Sequence, residues 1–228
     1  MMKIKRSVVA GLSLALSIVG CRTISPVLSP RPAEFQELEG YASLKITINQ
    51  QTAKSKFSFT VGLPHQARLQ VLDMLNRPIY ELIVNEEVSY FILSSKRMYW
   101  QGTANEVFEK FLGFRLSLQE MAGLLSGGWG EGQREEPILE GWVLEKDERG
   151  RVVSGEKQDF QFRVREFDAG SRVPRQLTFR SLQSEGRLSL LSIQFNKPLK
   201  SDHFSPAALK GFALVSWEEI ERILKNED

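Results

Sequence analysis

Residues 103–127 read TANEVFEKFLGFRLSLQEMAGLLSG. Two capping signatures lie in this stretch, Thr103-Ala-Asn-Glu106 and Ser117-Leu-Gln-Glu120. In each, a hydroxyl side chain can accept from the backbone N–H three residues on, while the glutamate reaches back to the N–H of the hydroxyl residue. Val107, Phe108, Phe111 and Leu112 follow the first signature at helical spacing, and Met121-Ala-Gly-Leu-Leu125 follows the second. Gly113 stands where the first helix must stop, because a residue there is asked for positive φ. The stretch predicts two short amphipathic helices rather than one long one.

Outward from this pair the hydrophobic period is two. Ala42, Leu44, Ile46 and Ile48 share one strand face, with Ser43, Lys45 and Thr47 on the other. Phe57-Phe59-Val61 and Ala67-Leu69-Val71 repeat the alternation, and apolar runs follow at 79–84, 88–93 and 98–100. After the glycine-rich stretch 127–132, strand-like segments resume at roughly 139–146, 151–157, 159–166, 174–182 and 186–195. A third capping signature, Ser216-Trp-Glu-Glu219, opens a terminal helix carrying Ile220, Ile223 and Leu224. About ten antiparallel strands are too many to stay flat, so the sheet must curl and helices must cover its apolar face. The expected fold is mainly β with helices: an open antiparallel half-barrel, covered by short helices, around an apolar cavity. Phe59, Leu69 and Phe162 are expected to line that cavity from the sheet, and Phe108, Phe111 and Leu125 from the helices.

The N-terminus carries an address. Lys3, Lys5 and Arg6 precede an uncharged apolar segment, residues 7–20, too short to span a bilayer. The segment ends in Ile18-Val19-Gly20-Cys21, which resembles the lipobox of bacterial lipoproteins, with Ile18 in place of the usual leucine and Val19 in place of a small residue. The resemblance implies cleavage before Cys21 and acylation, palmitate included, on its sulfur. Cys21 is the single cysteine of the chain and can form no internal disulfide. Two or more acyl chains make membrane attachment effectively permanent. Arg22, not Asp, follows the cysteine, which under the sorting rule of such proteins implies the outer membrane, facing the periplasm.

The expected organisation is therefore a signal peptide (1–20), a lipidated, proline-rich flexible tether (21–33), a half-barrel domain (34–205) and a C-terminal helical extension (206–228). The chain has 30 Lys+Arg against 28 Asp+Glu; removing the three basic residues of the signal leaves 27 against 28, and no patch suggests nucleic acid.

Catalytic signatures are missing. His65 and His203 lie far apart with no cysteine or paired carboxylate at metal-ligand spacing, so they read as surface histidines, with no metal and no cofactor expected. No Gly-x-Ser-x-Gly elbow occurs. Ser126-Gly-Gly-Trp-Gly-Glu-Gly132 lacks the Gly-Lys-Ser/Thr of a phosphate loop and reads as a flexible connection. Glu135-Glu136 and Glu218-Glu219 read as solvated pairs. The chain is expected to bind rather than catalyse.

From about residue 39 to 195 the order of elements resembles the outer-membrane lipoprotein receptors of the LolB family. The resembling features are the strand Gly40-Tyr-Ala-Ser-Leu44, the strand Arg68-Leu-Gln-Val-Leu72, the hairpin through Met74-Leu75-Asn76, and the helix pair 106–113 and 118–126 with its join Gly113-Phe-Arg-Leu-Ser-Leu118 and its ending Leu124-Leu-Ser-Gly127. Such receptors share an open half-barrel with their periplasmic carrier LolA. The resemblance implies a cavity for lipoprotein acyl chains, delivery from a LolA-like periplasmic carrier, insertion of the cargo into the outer membrane, and a membrane- or cargo-contacting tip at Met74 and Leu75. The tip here lacks the family's proline and glycine, and residues 206–228 extend past the family's last strand. An assembly or scaffold lipoprotein that binds a protein partner, or a carrier of another amphiphile, also fits these residues.

Overall fold

The computed structural model describes residues 27–48, 50–86, 88–129, 140–199, 203–205 and 209–226. The expected signal peptide, Cys21, Glu135 and Glu136 lie outside the described residues.

Six consecutive antiparallel strands form the first half of the sheet. They are β2 (Glu37–Ile48), β3 (Gln51–Gly62), β4 (Gln66–Leu72), β5 (Pro78–Val84), β6 (Ser89–Leu93) and β7 (Met98–Gly102). Helices α1 (Ala104–Leu112) and α2 (Leu118–Ser126) come next. The second half is β8 (Val143–Lys146), β9 (Val152–Lys157), β10 (Phe160–Phe167), β11 (Pro174–Arg180) and β12 (Ser184–Phe195). β12 returns to pair antiparallel with β2 along nearly its whole length, so the halves join in the interior of the sheet. The result is a single open sheet running from β8 to an edge beyond β7, with no closing pair between its ends.

The sheet curls where side chains are missing. A Cβ on Gly40 would collide with the Ser192 carbonyl, beside the bulge at Leu191 in β12. Gly155 and Gly186, each opposite a phenylalanine, leave room for the Phe162 and Phe179 rings to lie across the neighbouring strand. Glycines and bulges at fixed positions are what bend a sheet.

Two segments expected to flank the half-barrel contribute short strands to the same sheet. In the stretch expected to be a tether, Val27–Leu28 forms β1, parallel to Ser192–Ile193 of β12, and the Leu28 side chain packs on the core. Past β12, Ala213–Leu214 forms β13, parallel to β7 at the sheet edge, and α3 (Trp217–Asn226) follows. Ile220 is completely buried, and Trp217 meets Phe91 and Trp100 edge-on at 5.5 and 5.3 Å. These two-residue strands raise the number in the sheet to thirteen among the described residues. His203 is also no plain surface histidine: its Nε2 lies 3.1 Å from Thr60 Oγ1, and its carbonyl accepts from Arg68 at 2.9 Å.

The interior is two cores rather than one. The first lies between β2–β7, α1, α2 and α3 around Phe59, Phe91, Phe108 and Ile220. The second is an aromatic cluster of Phe114, Trp129, Trp142, Phe160, Phe162 and Phe179 under β8–β11. Leu44, Leu112 and Leu188 touch both.

Candidate functional site

The helix pair bridges the seam between these cores. Both capping boxes form as the sequence requires: Glu106 N–H and Glu120 N–H donate to Thr103 and Ser117 Oγ, and each carboxylate accepts in return from the cap backbone, at 2.8 and 2.7 Å. Gly113 and Gly127 end the helices at φ 76° and 71°. α1 and most of α2 face the first core, whereas Leu124 and the elbow residues Phe114 and Leu116 face the second.

Beneath the elbow lies a narrow cavity of about 80 Å³. Its walls come from both halves of the sheet and from the helix pair, with Leu44, Val71, Phe111, Leu124 and Phe179 among them. Among the described residues, Ser55 is the one polar residue of the lining. A space of this size holds only a few heavy atoms, since a water molecule alone takes about 30 Å³ in the liquid. A long chain would enter only if the elbow moved off the seam, and such movement would separate two cores that are each packed on their own.

A buried ion pins the elbow. Glu120, 4% exposed, accepts from Trp142 Nε1 at 2.7 Å and from Lys157 Nζ at 2.6 Å through Oε1, while Oε2 holds the Ser117 cap. Burial alone would raise this carboxyl, but hydrogen bonds from Lys157, the Ser117 backbone and Trp142 outweigh it and hold the group below the ordinary carboxylate range. A buried charge is tolerable only when so completely satisfied.

The structure divides the residues expected at the cavity. Leu69, Phe111 and Leu125 line it. Phe59 and Phe108 do not; both are sealed inside the first core, 1% and 0% exposed. Phe162 lies outside the cavity as well, stacked on Trp129 at 5.2 Å in the second core. Trp129 also corrects the reading of 127–132 as a wholly flexible connection, because it is buried at the loop's start. Phe114, Leu116, Leu177 and Phe179 are lining residues that sequence reasoning missed. Alternation marks Leu177 and Phe179 as inward-facing, and the apolar pair in the elbow was the signal for Phe114 and Leu116.

Met74 and Leu75 sit at the tip of the β4–β5 hairpin, 100% and 72% exposed. Asp73 builds the turn: its Oδ1 accepts from the Leu75 and Arg77 backbone, both at 2.8 Å, and its Oδ2 from Arg77 Nε at 2.7 Å. Asn76 takes the left-handed conformation, φ 60°. These bonds, the Arg77 backbone bond foremost, hold the Asp73 carboxyl below its ordinary value. Asparagine and aspartate thus supply the tight geometry for which a proline and glycine were missing.

Among the described residues, no cluster of three His, Cys, Asp or Glu could hold a metal ion, and no helix is long and apolar enough to cross a membrane.

By sequence, no protein-family profile and no curated protein matches the chain. By structure, it is similar to a LolA superfamily protein from Nitrosomonas europaea, with TM-score 0.54 at 7% identity over 78% of this chain and 93% of that one. It is similar too to a DUF1329 family protein from Desulfovibrio piger, with TM-score 0.53 at 10% identity over 77% and 92% of the two chains. The fold is that of a LolA-like half-barrel: mainly β, with three α-helices among the described residues on one large open sheet.

Proposed function

We propose that this chain is a non-catalytic lipoprotein, anchored through Cys21 to the outer membrane and facing the periplasm. It receives lipoprotein acyl chains from a LolA-like carrier and helps insert them into that membrane. The observation that carries the reading is the apolar cavity on the seam between two separately packed cores, roofed by a helical elbow. Each methylene buried there contributes about 0.8 kcal/mol, so affinity needs no catalytic group, only room. Met74 and Leu75, held out on a rigid turn, supply an apolar contact with cargo or bilayer.

All described elements lie within residues 27–226, so a chain beginning at residue 22 carries every one of them. That chain should bind a fluorescent fatty-acyl probe. Ser55→Phe, which fills the cavity from its one polar wall, should weaken binding at least about tenfold while the protein stays folded. Absence of probe binding by the unmodified chain, or undiminished binding by a folded Ser55→Phe, would overturn the reading. Anchorage is tested separately: mass spectrometry of the native protein should find an acylated N-terminus at Cys21.

A further inference from the structure

The hairpin turns that alternate along the sheet put Gln50 and residues 73–77, 158–159 and 181–183 at one end of the strands. That end carries a second apolar tip. Leu182, in the β11–β12 turn, is 85% exposed. Its turn is framed by its own hydrogen bonds: Ser181 N–H donates to the Ser184 carbonyl at 2.7 Å, and Ser181 Oγ accepts from the backbone of Gln183 and Ser184. By strand register, Ser184 lies opposite Ile48, so Leu182 extends to the level of the β2–β3 turn. A turn whose only task is to reverse the chain has no use for an exposed leucine.

Behind this tip, on the outer face, a groove of about 690 Å³ holds five basic residues, Lys45, Arg163, Arg165, Arg180 and Arg187, against three acids, Glu145, Glu156 and Glu185. Arg180 pairs with Glu185 at 3.5 Å, Glu145 accepts from Ser154, and Arg165 donates to Thr178. Lys45, Arg163 and Arg187 are exposed and, among the described residues, have no carboxylate partner. They lie in one transverse row: Lys45 is directly opposite Arg187, Arg187 opposite Thr178, and Thr178 opposite Arg163. Like charges directly opposite each other destabilise a sheet. An anion laid across the row would remove that cost. At about 3.4 Å per residue, the row stands roughly 10 Å behind the turn at Ser184, about the depth to which an apolar element enters the headgroup layer.

We propose that Leu182 and the row Lys45, Arg187 and Arg163 form a docking surface for an anionic phospholipid bilayer. Leu182 enters the interface and the three cations meet lipid phosphates. The site is distinct from the acyl cavity, to which none of these four residues contributes. Vesicle binding and acyl-probe binding can therefore fail independently.

The test is flotation of the chain beginning at residue 22 with vesicles of phosphatidylcholine alone, or with about a third of the lipid replaced by phosphatidylglycerol. The protein should prefer the anionic vesicles, and added salt should weaken that binding. Lys45→Gln, Arg163→Gln and Arg187→Gln together should cost about a hundredfold, since each cation near such a surface contributes about a fivefold factor. Leu182→Ser should weaken binding several-fold to both kinds of vesicle. Removing three cations elsewhere, Arg149→Gln, Lys210→Gln and Arg222→Gln, should cost much less, and acyl-probe binding should be unchanged throughout. Equal affinity for both vesicles, no vesicle binding, undiminished binding by the first triple variant, or equal loss in the second would each overturn the proposal.

Discussion

Two turns of this molecule share one skeleton and differ at their tips. Asp73-Met-Leu-Asn-Arg77 joins β4 to β5, and Asp147-Glu-Arg-Gly-Arg151 joins β8 to β9. In the second, Asp147 Oδ1 accepts from the Arg149 and Arg151 backbone at 3.0 and 2.9 Å, and Oδ2 from Arg151 Nε at 2.8 Å. The same backbone pair closes both turns, Asp73 N–H to Arg77 O and Asp147 N–H to Arg151 O, each at 2.9 Å. The fourth position is left-handed in both, φ 60° at Asn76 and 72° at Gly150. One skeleton presents methionine and leucine; the other, at the opposite end of the strands, presents glutamate and arginine. Turn chemistry therefore does not call for the apolar pair. Its presence is a property of that end of the sheet, which Leu182 shares.

Exchanging the tips is the strongest way to break this comparison. Met74→Glu with Leu75→Arg should leave unfolding free energy within about 0.5 kcal/mol, because the exposed tip carries no packing. The same exchange should abolish most transfer of a lipoprotein from periplasmic carrier to membrane vesicles. The reciprocal change, Glu148→Met with Arg149→Leu, should leave transfer as it was. Normal transfer after the first exchange would remove the tip from the functional account.

The shared skeleton is tested at its fourth position. A β-branched residue in the left-handed region costs about 1–2 kcal/mol. Gly150→Val and Asn76→Val should each lose about that amount in chemical denaturation, while Asn76→Gly should change little. Unequal losses for the two valine variants would show that the turns are not equivalent.

Acid gives the smallest effect. Both aspartates titrate below their ordinary 3.8 in the folded chain, chiefly through the Arg77 backbone bond at Asp73 and the Arg151 side-chain bond at Asp147. Their contribution is present above that value and is lost as pH falls through the lowered folded values. Glu120, held below its ordinary 4.5 despite burial, acts in the same direction. Melting temperature should therefore drop on acidification below about pH 4, and Asp73→Asn or Asp147→Asn should each make the drop shallower by a similar step. A drop that neither variant alters would show that these carboxylates do not couple to folding.

The cavity shows how far side-chain pattern reaches. Alternation correctly placed Phe59, Leu69 and Phe162 on the inner face, and helical spacing placed Phe108, Phe111 and Leu125 inward. Inward is not the same as lining. Leu69, Phe111 and Leu125 end at the seam, whereas Phe59, Phe108 and Phe162 end inside one core or the other. Which residues reach the seam depends on where β12 joins β2 and on where the elbow lies across that join. Neither is a local property.

What the sequence determined by itself is what neighbours along the chain can decide. Hydroxyl and glutamate three residues apart set both helix starts, glycine set their ends, and a period of two set the strands and their inward faces. Each rests on contacts within about one turn of chain. Only the tertiary structure decided that Val27–Leu28 and Ala213–Leu214 are strands. Two residues carry no periodicity, and their order comes from partners at Ser192–Ile193 and Met98–Tyr99 far along the chain. It also decided that the capping glutamate of α2 serves Trp142 and Lys157, 22 and 37 residues away. Burial of a carboxylate is costly enough that its partners must be brought to it by the fold.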